Sequence, residues 1–253
     1  MQLPHRVLDS TNSDGQSKKL CALAIMTKAP RAGHVKTRLV PPLTPEQAAQ
    51  LNVCFLRDTA NAIQQACGSS AVGIGVYTPV GFEQAYIDIL PSQFQLLAQR
   101  GDGFGDRLTF AAEDLFRCGF DSVCLIDSDS PTVPAVDYTE AVNLLSKPED
   151  RVILGPSDDG GYYLIGLKRN HRELFEGIDW STERVFEQTR KQANELNLEV
   201  ALLPNGYDVD DRASLERLTA ELLGERTSAD IAPCTREFLA ALVKAEGKIF
   251  APQ

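Results

Sequence analysis

The chain has 253 residues, 43% of them hydrophobic and 24% charged, with a formal net charge of -10. That composition describes an ordinary globule with room for a sizeable core, and its acidity excludes nucleic acid or an anionic membrane surface as the main partner. No apolar stretch approaches the roughly 20 residues of a membrane span, and the six cysteines lack paired metal-ligand spacing, which reads as reduced thiols of a cytoplasmic protein.

Residues 1–19 are polar, without the apolar centre of a secretory signal, and are expected to form a loose tail. Residues 20–250 are expected to form one domain, since no linker, repeat or low-complexity tract divides them. The apolar run Leu20–Met26 predicts a buried first strand. It opens into a loop carrying Gly33 and the segment Lys36-Thr-Arg-Leu39. From Gly15 to Pro45 there is no acid, while Lys18, Lys19, Lys28, Arg31, Lys36 and Arg38 all fall there. A basic island in an acidic chain suits a small anionic ligand. Free backbone N–H groups around Gly33, together with Lys36 and Arg38 and assisted by Lys28, are able to hold a phosphate chain. The spacing is not that of a Walker A loop. A solvated basic loop is the plain alternative, and for Arg31 the preferred one.

Pro45 starts a helix to about Ala66, followed by a strand at Ala71–Thr78, a short helix at Phe82–Leu90 and a strand at Phe94–Ala98. The turn Arg100–Arg107 opens a helix to about Cys118; its Gly-x-Gly-x-Gly pattern is equally a phosphate cradle or a helix start. A fourth strand ends at Asp127. Val136–Leu145 reads as helix, Arg151–Gly155 and Gly161–Leu167 as strands. Ser181 is expected to cap a helix to about Asn197, before a strand at Leu198–Leu203 and helices at Arg212–Leu223 and Cys234–Lys244. Strands regularly separated by helices predict an α/β fold, an open and mostly parallel sheet covered on both faces as a single-domain three-layer α/β/α sandwich. Ligands of such sheets lie outside the carboxyl ends of the strands, where strand order switches. The loops after the first and fourth strands therefore face one crevice.

Three acidic clusters bear on that crevice. In Ile126-Asp-Ser-Asp-Ser-Pro131, Asp127 and Asp129 end an apolar strand and fall on one side of it. Two carboxylates there are costly unless neutralised, and a divalent cation shared with a diphosphate would do so; an Asx-rich turn is the alternative. In Gly155-Pro-Ser-Asp-Asp-Gly-Gly-Tyr-Tyr163, Asp158 or Asp159 is a candidate to bind an acceptor hydroxyl or act as base, with a tight hairpin as the alternative. In Tyr207-Asp-Val-Asp-Asp211, Asp208 or Asp210 is placed to reach the metal, whereas Asp211 reads as a helix N-cap. Trp180 is read first as a core or hinge residue and second as a stacking surface.

Taken in this order, the segments Met26–Pro30, Lys36–Leu39, Gly101–Arg107, Ile126–Pro131, Gly155–Leu167 and Asp208–Asp210 resemble the bacterial DUF2064 family, assigned to the nucleotide-diphospho-sugar transferase (GT-A) fold. The resemblance spans about Leu20 to Leu223. It implies a GT-A-like sheet, Mg2+ or Mn2+ held by Asp127 and Asp129 with Asp210 as a third candidate, and phosphate contacts from Lys36 and Arg38. It also implies a metal-dependent transferase, expected to be a glycosyltransferase joining a nucleotide-activated sugar to a small-molecule acceptor. The alternative is a nucleotidyltransferase of the molybdenum-cofactor or phospholactate guanylyltransferase type, which binds an NTP and releases pyrophosphate. One departure stands out: the family tends to read Asp-Val-Asp-Thr with a later acid, where this chain has Asp211 and Ser214.

Overall fold

The computed structural model describes residues 5–11, 17–224 and 227–246. Seven strands, β1 (Cys21–Lys28), β2 (Ala71–Thr78), β3 (Gln95–Ala98), β4 (Ser122–Ile126), β5 (Arg151–Pro156), β6 (Tyr162–Leu167) and β7 (Glu199–Leu202), form one sheet in the order β3-β2-β1-β4-β6-β5-β7. All neighbours pair in parallel except β6, which runs antiparallel to both β4 and β5. Strand order reverses between β1 and β4. The two loops leaving their carboxyl ends open the crevice expected of such a sheet.

The side chains of β1 alternate across the sheet. Cys21, Leu23 and Ile25 enter one core and Ala22 and Ala24 the other. The first core is closed by α1 (Pro45–Cys67) and α3 (Ala135–Ser146), through residues such as Leu56, Ile63, Tyr138 and Leu145. The second is closed by α2 (Phe104–Arg117) and α4 (Val185–Glu195), through Leu108, Leu115 and Ala193. A third cluster lays α5 (Arg212–Leu223) and α6 (Pro233–Glu246) over the start of α1, joining Leu51 and Phe55 to Leu215, Leu218 and Leu239. The result is the three-layer α/β/α arrangement. Among the described residues no helix is long and apolar enough to cross a membrane.

Helix starts follow local chemistry. Thr44 and Gln47 form a capping box around Pro45 at the head of α1, which satisfies otherwise unpaired N–H groups. The expected cap at Ser181 is displaced: α4 begins at Val185, and Ser181 takes a left-handed conformation with φ 63°. The reason is the β5–β6 hairpin, whose Gly160 (φ 86°) presses against Glu183 and accepts a hydrogen bond from the Phe186 N–H at 2.9 Å. A second difference concerns the expected loose tail. Residues 1–4 and 12–16 lie outside the described residues, but residues 5–11 are docked. Leu8 N–H donates to Leu96 O at 2.7 Å, and Leu96 N–H donates to Arg6 O at 2.9 Å. His5 is buried, with ring nitrogens 3.1 and 3.3 Å from the carbonyl oxygens of Phe94 and Tyr86. The open edge of β3 supplies Leu96, and the segment leading into β3 supplies Phe94 and Tyr86; covering an edge strand removes exposed ladder groups.

Candidate active site

Past the end of β1 the chain turns at Gly33 (φ 74°) and reaches Lys36, whose backbone is left-handed at φ 49° and ψ 36°. A long side chain held there is strained. Its side chain nevertheless runs inward and is only 3% exposed. Nζ lies 2.7 Å from Asp129 Oδ1, 2.9 Å from Asp210 Oδ1 and 2.7 Å from Val209 O. Three partners take all three ammonium hydrogens. Burial alone would depress the Lys36 pKa, but the charges of Asp129 and Asp210 outweigh it and hold the group above its ordinary value. Val209 N–H also donates to Asp129 O at 3.0 Å. Lys36 thus clasps the loop after β4 to the segment before α5. It was expected to offer its charge to phosphate, and it spends that charge on two carboxylates. Arg38, two residues on, is exposed and makes no ion pair or side-chain hydrogen bond among the described residues.

Asp127 is fixed at the mouth of β4 by its own N–H, which donates to Tyr163 O at 2.9 Å. Its carboxyl accepts from Ser130 Oγ at 2.7 Å and from the Asp129 N–H at 3.3 Å. Burial, and then the neighbouring charge of Asp129, push its pKa up to about 8. Its direct hydrogen-bond donors are neutral, and the nearby Lys36 charge, spent on Asp129, offsets only part of the rise. This donor set of hard oxygens fits Mg2+ or Mn2+. Asp210, the third candidate, is held by Lys36, which stands between it and Asp129, and among the described residues no three metal-ligating side chains converge.

Two cavities meet at this node. The smaller, about 270 Å³, is bounded by Lys28, His34, Lys36 and Arg38 opposite Asp129 and Asp210. Gly33 lines neither cavity, and a Cβ there would meet nothing. The larger cleft, about 830 Å³, shares Arg38, Asp129 and Asp210 with the first and runs on to the β5–β6 hairpin and α5.

Both hairpin acids line the larger cleft, and their partners differ. Asp158 accepts from Arg217 at 2.5 Å and from Asn205, and the Arg217 hydrogen bond holds its pKa below the usual carboxylate value. So engaged, it is a poor proton acceptor and ties the hairpin to α5. Asp159 uses Oδ1 to accept the Gly161 N–H at 2.8 Å. Facing it is Asp208, pushed up to about 6 by burial and by the charges of Asp159 and Asp210. The alternation Asp208-Val-Asp210 buries Val209 and turns both acids to the crevice, a period-two signal present in the sequence. No local signal marks Arg217, whose partner is 59 residues away. The departure at positions 211 and 214 is structural: Asp211 caps α5 by accepting the Ser214 N–H at 2.8 Å, while Ser214 Oγ accepts from the N–H groups of Asp210 and Asp211 at 3.1 Å.

The profile of the DUF2064 family, described as "Uncharacterized protein conserved in bacteria", matches residues 43–182. The chain is 27% identical over 224 residues to a 2-phospho-L-lactate guanylyltransferase of Methanothermobacter thermautotrophicus, covering 88% of this chain and 91% of that one. A crystal structure from Desulfovibrio desulfuricans G20, named provisionally a nucleotide-diphospho-sugar transferase, superposes with a TM-score of 0.76 at 29% identity over 89% of this chain and 95% of the other. A CMP-2-keto-3-deoxy-manno-octonic acid synthetase complexed with CTP shares the fold at a TM-score of 0.52 and 12% identity, over 79% of this chain and 96% of that one.

Proposed function

Since this chain belongs to the bacterial DUF2064 family and is an enzyme of the transferase class, we propose that its reaction is nucleotidyl transfer from an NTP to a small-molecule acceptor, with release of pyrophosphate. The observation that carries this reading is the meeting of two unlike cavities at Asp129 and Asp210. The small basic cavity suits a phosphate chain. The larger acid-lined cleft suits an acceptor whose nucleophile must reach that chain at the boundary. The name of the methanogen relative supports the same reaction class.

In this reading Arg38 and Lys28 bind the triphosphate, Arg38 by the planar fork that matches phosphate oxygens. Asp127 and Asp129 would hold Mg2+ or Mn2+, whose charge would offset that of the phosphates. Lys36 keeps Asp129 and Asp210 in register. Asp208, with Asp159 beside it, receives the acceptor proton, and Asp158 positions the hairpin through Arg217. Glycosyl transfer from a nucleotide sugar is the second reading, favoured by the aromatic pair Phe104–Trp180 on the large cleft, which suits a sugar ring. An NTP labelled at the α-phosphorus separates the two. Nucleotidyl transfer moves the label onto the acceptor, whereas label left in a nucleoside phosphate after turnover of a nucleotide sugar speaks for glycosyl transfer.

A further inference from the structure

This inference rests on the transfer reading above and concerns the acceptor. We propose that the large cleft takes an uncharged, polyhydroxylated acceptor, a free sugar or sugar alcohol, and rejects phosphorylated or carboxylated hydroxy acids.

Charge is the first ground. Eight carboxylate side chains line the cleft, against two guanidinium groups, Arg38 and Arg217. Arg217 is already paired with Asp158 and lies 3.7 Å over the Tyr207 ring centroid. Arg38 serves the phosphates at the boundary. Even with a divalent cation on Asp127 and Asp129, Lys36 on Asp210 and Arg217 on Asp158, the carboxylates of Asp159, Glu183, Asp208 and Asp211 remain, and no cation lining the cleft is left to receive an anionic acceptor. Like charges brought together across a partly desolvated surface reject the wrong partner.

Hydrogen bonding is the second ground. Ionised carboxylates accept only, so they match hydroxyl donors. Ser157, a cleft-lining residue at the hairpin, is 8% exposed, and its Oγ makes no hydrogen bond among the described residues, which leaves a polar group to be satisfied where the cleft meets the hairpin.

The third ground is shape. Phe104 is 53% exposed and stands edge-on to Trp180 with ring centroids 5.2 Å apart. Gly105 permits this approach, because a Cβ there would come within 2.5 Å of Trp180 Nε1. An apolar ring pair beside a wall of acceptors complements a sugar, with its C–H face and hydroxyl edge. The step balances. The acceptor hydroxyl oxygen attacks the α-phosphorus, and the bond from that phosphorus to the β-phosphate breaks. Pyrophosphate leaves with the electron pair, and the hydroxyl proton passes to Asp208 and then to water.

The test pairs hexoses and pentitols with their monophosphates, adds 2-phospho-L-lactate, and follows pyrophosphate release from the four NTPs with Mn2+. The expected result is a kcat/KM for neutral acceptors about 100-fold above that of their charged counterparts. Phe104→Ala, at an exposed site, should raise the acceptor KM about fivefold without changing the NTP Kd. Anionic acceptors turning over as well as neutral ones, no neutral compound supporting turnover, or an unchanged acceptor KM in Phe104→Ala would each overturn the proposal. Calorimetry of NTP alone tells the two failures apart. Absence of Mn2+-dependent binding sinks the transfer reading and the acceptor class with it, while NTP binding with turnover of anionic acceptors overturns the acceptor class alone.

Discussion

Lys36 Nζ lies 2.7 Å from Asp129 Oδ1, although the two residues stand on loops that leave different strands on either side of the switch in strand order. The same ammonium holds Asp210, so one buried cation binds the three chain segments that frame the crevice. Lys36→Met should therefore cost stability. Removing one partner of a fully buried pair costs about 3–5 kcal/mol. Here Asp129 and Asp210 remain 31% and 43% exposed, so a smaller loss of about 2 kcal/mol is expected, or roughly 4–8 °C in Tm. Differential scanning calorimetry measures it, and a Tm unchanged within a degree would count against the clasp.

Asp129→Asn removes one anionic oxygen beside the buried Asp127 carboxyl while preserving shape. Metal-dependent nucleotide affinity should fall by at least about tenfold, with the fold intact by circular dichroism. Titrations in EDTA and in Mn2+ make the comparison. Equal nucleotide affinity in the two, for the unaltered protein, would remove the metal from the account.

Arg38 is the exposed guanidinium shared by both cavities. A hydrogen bond to a charged group contributes about 1.5–3 kcal/mol, so Arg38→Ala should weaken nucleoside diphosphate binding at least about tenfold and leave the unphosphorylated nucleoside unaffected. Arg38→Lys should recover only part, since lysine lacks the fork. Equal weakening of both ligands would move Arg38 out of the phosphate site.

The two hairpin acids should separate cleanly. Asp159→Asn removes the charge that helps raise the pKa of the proton-accepting Asp208 and should lower turnover at least about tenfold, about 1.4 kcal/mol, while leaving nucleotide affinity unchanged. Collapse of nucleotide binding would place the hairpin in the donor site instead. Asp158→Asn should act on stability. Arg217 depresses the Asp158 pKa in the folded protein, so its contribution is present above the ordinary carboxylate pKa and is lost as pH falls through the lower folded value. The pair is exposed, so the Tm difference at pH 7 should be at most about 3 °C and should close towards pH 3. A difference constant across that range would contradict the pairing.

What the sequence made legible, and what it hid, follows from how far each signal reaches. Apolar runs of strand length, Pro45 after Thr44, and the carboxylates ending the run at Ile126 are local, and the mostly parallel sheet, its covering layers and the crevice follow from them with general rules of connection, whereas the strand order and the antiparallel β6 do not. The Lys36 clasp is not local: its partners Val209 and Asp210 lie 173 and 174 residues away. A basic residue in a Gly-containing loop looks the same whether it meets phosphate or carboxylate. Ser181 looked like a cap because Ser before a helix usually is one, and only the docking of Gly160 against Glu183 displaces it. His5 and Leu8 read as tail because their partners, the open edge of β3 and the segment leading into it, come together only once the sheet has formed. Asp208 was visible as an acid on the right side of its segment, but its proximity to Asp159 came from the hairpin.

The central claim is transfer of a nucleotidyl group at the boundary of the two cavities. Phosphorus NMR of the protein with an NTP, Mg2+ and a mixture of neutral sugars and sugar alcohols tests it most directly. The account requires inorganic pyrophosphate to appear in step with a new phosphodiester resonance, both abolished in Asp208→Asn. A spectrum in which the NTP stays intact, while a nucleotide sugar in the same mixture is converted to its nucleoside diphosphate, would contradict it.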